Sequence, residues 1–129
     1  MPRTLSETVL EASKGQPTVE IIFGSAHVGN YRCFLWDPDG RNPEQLAHGN
    51  NIDDVPDSFV IPVDPADLDG HILSQELIVQ AADTRPGQVY SVTTTVRQGG
   101  KICVGGVIQK SGSLDDVKSL IDFRRFRTA

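Results

Sequence analysis

No apolar run in this chain is long. Each alternates apolar with polar residues and is closed within about ten residues by glycine, proline, asparagine or aspartate, the spacing of short strands joined by turns. Val19, Ile21 and Phe23 alternate with Thr18, Glu20 and Ile22, and a loop over Gly24–Asn30 leads into Tyr31–Trp36. Further strands are predicted at Gln45–His48, around Phe59, Ile61 and Val63, as a well-buried strand across Leu77, Ile78 and Val79, over Gln88–Gln98 and Lys101–Lys110, and over Ser119–Phe126. Pro62 cannot donate to a ladder and marks an edge position. The pattern predicts an all-β chain, an antiparallel β-sandwich of about seven to eight short strands.

Two segments carry helical signals. Thr4, Ser6 and Glu7 have the order of a capping box, and Leu5, Val9 and Ala12 follow helical spacing up to Gly15, so a short N-terminal helix is expected over 5–14. Ser113–Asp116 has the residues to cap one helical turn through Leu120.

Gly99-Gly100 is a two-residue hairpin signal between strands. Pairing Gln98 with Lys101 and continuing without interruption sets Val92 opposite Val107 and Val96 opposite Cys103, on the core face with Tyr90. The other face then carries Thr93, Thr95 and Arg97 with Ile102, Val104 and Ile108, too apolar on one strand to be plainly solvated. Either a bulge at Gly105-Gly106 re-aims the residues beyond it, or this face is covered by the N-terminal helix or by a second copy. Thr93, Thr95, Ile102 and Val104 are the candidate surface for self-association.

The 129 residues fit a single domain over 1–129, with enough chain to bury a core. A net charge of −5 argues against nucleic acid, whose recognition rests on lysine and arginine neutralising phosphates. No run of about 18 apolar residues is present and the N-terminus lacks the order of a secretory signal, so no membrane partner and a cytoplasmic location are expected. In that reducing setting Cys33 and Cys103 are expected to be buried free thiols.

The best candidate for chemistry lies where an aromatic strand meets an acidic turn, Tyr-Arg-Cys-Phe-Leu-Trp-Asp-Pro-Asp-Gly-Arg-Asn over 31–42. Asp37, Asp39 and Asn42 offer one set of oxygens; Asn50, Asn51, Asp53 and Asp54 offer another. Calcium takes six to eight such oxygens, so Asp37, Asp39, Asn42, Asp53 and Asp54 are candidate metal ligands. Asp-Pro-Asp-Gly is also a turn formula that needs no ion. Trp36 beside this loop, with Asn50 and Asn51, suggests a glycan site in which an aromatic face takes a sugar ring and amides bond its hydroxyls, against the plainer reading of Trp36 as core. His27, His48 and His71 show no His-x-His spacing for zinc. No catalytic residue is assigned: the chain has no nucleophile elbow, phosphate loop or dinucleotide fingerprint. The sequence thus predicts a non-catalytic binding module for a glycan or small ligand, assisted by calcium. The alternative is a structural subunit of a homo-oligomer, and a metal-dependent enzyme ranks behind both.

Overall fold

The computed structural model describes residues 5–24, 27–51, 57–83 and 85–129. Their strands are β1 (Ser6–Leu10), β2 (Thr18–Phe23), β3 (Val28–Trp36), β4 (Glu44–Asn50), β5 (Asp57–Val60), β6 (Ile72–Gln80), β7 (Val89–Gln98), β8 (Lys101–Ser113) and β9 (Val117–Thr128), with a 3₁₀ turn at Pro65–Leu68. They form one sheet in the order β4-β3-β6-β9-β1-β8-β7-β2-β5, whose end strands β4 and β5 come back into contact. The chain is all-β, as its turn spacing predicts. The architecture is a nearly closed mixed sheet, because β1 runs parallel to β9 and antiparallel to β8.

The expected N-terminal helix is replaced by β1. Thr8 and Leu10 are fully buried while Val9 between them faces outward, a period of two that a helix cannot satisfy. Pairing of Ser6–Leu10 with Arg124–Thr128 supplies the backbone partners that a capping box would have offered a helix. Likewise the expected helical turn after Ser113 is absent: β9 begins at Val117 and pairs with β6 from Val117 to Arg125. β3 also begins earlier than expected, at Val28.

Gly99 and Gly100 both take positive φ, 56° and 81°, as a tight hairpin requires. Gln98 faces Lys101 and Arg97 faces Ile102, as the turn predicts, but Thr95 then lies opposite Val107 instead of Val104, a slip of three residues. An odd slip exchanges the two faces. Val107, expected in the core, is 49% exposed, whereas Ile108, expected outside, is 3% exposed. Tyr90, Val92, Val96 and Cys103 are buried as expected; Ile78 is not. On the proposed self-association face Thr95 is buried, while Ile102 and Val104 are exposed.

The slip is built around Gly105-Gly106. Gly105 has φ +70°, and a Cβ there would sit on the carbonyl oxygen of Glu7 in β1. Its own carbonyl accepts from Thr8 Oγ1 and from Arg124 Nη1, both at 2.9 Å, so one bulge ties β8 to β1 and β9. The interior on either side is filled by Leu10, Val19, Ile21, Leu77, Val96 and Phe126. Across it Thr94 Oγ1 of β7 donates to Gln75 Oε1 of β6 at 2.7 Å.

Gly105→Ala should therefore destabilise by at least about 2 kcal/mol in urea unfolding, from the left-handed backbone and the displaced β1 strand. Gly15→Ala, where a Cβ meets nothing within 4 Å, should change stability by no more than about 1 kcal/mol. Equal effects at the two positions would contradict the bulge.

Candidate functional site

On the outer face of β4-β3-β6-β9, side chains stand in rows fixed by register. Asn50, Asn30, Ile78 and Ser119 form one row; His48, Arg32, Glu76 and Ile121 form the next. A third runs Gln45, Phe34, Ser74 and Phe123, and a fourth begins with Trp36 and Ile72. The first two rows, with Gln45, line an open groove of about 640 Å³, a volume in the range of small-ligand sites.

A bulge shapes one wall. Gln45 and His48 are three residues apart and would face opposite ways in a regular strand, but β4 shifts register between the partners of Cys33 and Phe34. Both side chains therefore reach the groove, with Gln45 Nε2 3.1 Å from His48 Nδ1. In the floor Arg32 Nη2 lies 3.2 Å from Glu76 Oε2, and both side chains remain solvent-accessible. Such a pair adds little to stability; its donors and acceptors remain able to meet a polar ligand. Ile78 at 43% and Ile121 at 52% exposure add an apolar strip.

Trp36 stands on this same outer face, next to the aromatic row and outside the groove lining. Its Nε1 donates to Ser74 Oγ at 2.8 Å, and its ring meets Phe123 at 6.5 Å between centroids, tilted by 59°. The residues predicted to join it are separated from it. Asn50 pairs with Asn30, six residues or about 20 Å along β3 from Trp36. Asn51 clasps the opposite end of the strand: its Oδ1 accepts from Gly29 N at 2.7 Å and its Nδ2 donates to His27 O.

The Asp37–Asn42 turn is closed by its own side chains. Asn42 Nδ2 donates to Asp37 Oδ2 at 2.7 Å, Arg41 N donates to Asp39 Oδ1 at 3.2 Å, and Arg41 Nε lies 3.6 Å from Asp39 Oδ2. Arg125 Nη1 of β9 fastens the turn by donating to Pro38 O and Gly70 O. Asp53 and Asp54 lie outside the described residues. Among the described residues no three side chains from histidine, cysteine, aspartate and glutamate gather into a metal-binding group. His27 is taken up in loop structure, its Nε2 2.9 Å from Val89 O and its Nδ1 accepting from Ala82 N at 3.0 Å.

Sequence reasoning missed Asn30, Arg32, Glu76, Ile78 and Ile121. The outward series Asn30, Arg32, Phe34, Trp36 was visible as alternation in β3, but its meeting with Glu76 and Ile121 depends on register between distant strands.

Both cysteines are free and buried. Burial pushes the Cys33 thiol up to about 12; burial, then the charge of Glu11, raises Cys103. Neither is poised as a nucleophile. No helix among the described residues is long and apolar enough to cross a membrane. Compared with known proteins, the chain matches no family model, no curated protein and no solved structure.

Two outcomes follow. Asn51→Ala removes two hydrogen bonds and should cost about 1–3 kcal/mol in thermal or urea unfolding. Because the Cys33 pKa is raised on folding, its stabilisation is complete below the unfolded thiol's pKa and is lost as pH rises toward about 12. Between pH 9 and pH 10 this contributes a fall of about 1 kcal/mol, which Cys33→Ala should abolish. An unchanged slope in that variant would exclude Cys33 as its source.

Proposed function

We propose that this protein is a non-catalytic binding module whose ligand lies in the groove on the outer face of β4-β3-β6-β9. The observation that carries this reading is the groove itself, in which amide, guanidinium, imidazole and carboxylate groups flank an exposed isoleucine strip. A ligand suited to it carries several hydroxyl or amide groups on one side and an apolar face on the other. A short glycan has this chemistry, with Phe34, Trp36 and Phe123 extending the apolar surface beyond the groove. The site stands on paired strands, which hold side chains in place better than loops do.

This reading moves the ligand from the acidic loops to the sheet face. It places no cation at Asp37 or Asp39, whose carboxylates are already bonded within their turn. The competing reading is a structural subunit, supported by the apolar side chains that β8 and β9 leave exposed.

The test is a backbone amide NMR titration with a panel of neutral and acidic oligosaccharides, with and without calcium. Shift changes are expected to centre on Asn30, Arg32, His48, Glu76 and Ile121 and to be independent of calcium. Arg32→Ala should weaken binding by about 10–100-fold through the loss of charge-assisted hydrogen bonds, with stability changed by no more than about 1 kcal/mol. Calcium-dependent shifts centred on residues 37–42 would refute the placement. No response to any saccharide would leave the glycan reading without support and favour the structural subunit.

A further inference from the structure

Donors and acceptors are unevenly divided along the groove. Arg32 of β3 stands between His48 of β4 and Glu76 of β6, its direct cross-strand neighbours on the outer face. Its contact with Glu76 engages Nη2 alone, which leaves Nε and Nη1 without a partner among the described residues. The Gln45 amide nitrogen can only donate, so His48 Nδ1 accepts from it and the neutral ring carries its proton on Nε2, a further donor. Asn30 adds an amide in the adjacent row. Against these donors the groove lining holds one carboxylate, Glu76, already beside the guanidinium. The β4-β3 side is therefore rich in donors that the protein itself does not use, and the exposed Ile78 and Ile121 accompany it on β6 and β9.

We propose that the groove selects an acidic saccharide, whose ring carboxylate is held by Arg32 and whose apolar ring face lies on Ile78 and Ile121. This rests on the binding reading above and narrows it to one chemical class. Hydrogen bonds from a guanidinium to a carboxylate are about twice as strong as neutral ones, and the His48 ring, next to Arg32 in its row, supplies a second donor for the same group. Glu76 limits the charge such a ligand can bring. One guanidinium beside one carboxylate suits a monoanion better than a doubly charged phosphate ester, which Glu76 would repel more strongly. Arg32 and Ile121 share a row two strand spacings apart, about 10 Å. A ligand that reaches both needs at least two sugar residues.

Amide NMR titration of the full chain tests this with trimers of galacturonate and of mannuronate and with a hyaluronan tetrasaccharide, each beside its methyl ester. The ester neutralises the carboxylate and keeps the rest of the sugar. At least one acid is expected to bind with a Kd about tenfold or more below that of its ester, through charge-assisted hydrogen bonds, with shifts centred on Arg32, His48 and Glu76. Arg32→Gln should abolish that preference while the free protein's spectrum is unchanged outside the groove. Arg41→Gln, in the Asp37–Asn42 turn, should retain it, and Glu76→Gln, which removes the competing carboxylate, should widen it. Equal binding of acid and ester in the groove overturns the acidic preference and leaves the glycan reading standing; no groove shifts with any saccharide remove both. A preference that survives Arg32→Gln also overturns the proposal, because the carboxylate would then be held elsewhere. So does tighter binding of a sulfated saccharide than of any uronate.

Discussion

The approach of Glu7 in β1 to Gly105 in β8 is the contact on which the rest of the sheet depends. A side chain at residue 105 would displace β1, and without β1 the antiparallel strands β8 and β9 have no common neighbour. The same residue shifts the β7-β8 register by three, turning Ile108 inward and Val107 outward. One bulge therefore does two jobs: it admits the N-terminal strand, and it assigns the two faces of the longest strand. The Gly105 carbonyl then draws hydrogen bonds from Thr8 and Arg124, so the three strands are fixed to one another at a single peptide.

Closure at β1 leaves β4-β3-β6-β9 as a continuous outer face. On its inner side Cys33, Leu35, Leu73, Leu77 and Phe126 are buried. The outer positions are released from core packing and carry a different composition, grading from amides at Asn30 and Asn50, through the Arg32–Glu76 pair, to Phe34, Phe123 and Trp36. A second bulge, in β4, brings Gln45 and His48 to the same side. The polar groups proposed to meet a ligand are thus presented by hydrogen-bonded strands, whereas the side chains of the Asp37–Asn42 turn bond to one another.

Much of this was legible in local sequence because strands and turns announce themselves over a few residues. Val19 and Ile21, the Gly99-Gly100 hairpin, the edge position near Pro62 and the buried state of Tyr90, Cys33 and Cys103 all followed from alternation or turn chemistry. What was not legible depends on pairing between distant strands. Leu5, Val9 and Ala12 fit a helix on their own; only the vacant edge of β9, more than a hundred residues later in the chain, makes Ser6–Leu10 a strand. Gly105-Gly106 was recognisable as a potential bulge, yet its three-residue size follows from room made for β1. Trp36, Asn50 and Asn51 looked like neighbours because loops were imagined at one end of a sandwich. In the folded chain β3 runs between them, and the partners that give Arg32 its setting, Glu76 and Ile121, come from strands with no sequence signal linking them to it.

The central claim is that the N-terminal segment is a strand locked between β8 and β9 at the bulge, and proton NMR distances in the intact protein test it most directly. The account predicts cross-strand contacts between Val9 and Val104 and parallel-strand contacts between Thr8 and Phe126, with slow amide exchange through Ser6–Leu10. Sequential amide–amide contacts with three- and four-residue periodicity over residues 5–14, and none to Val104, would show a helix there and contradict the account.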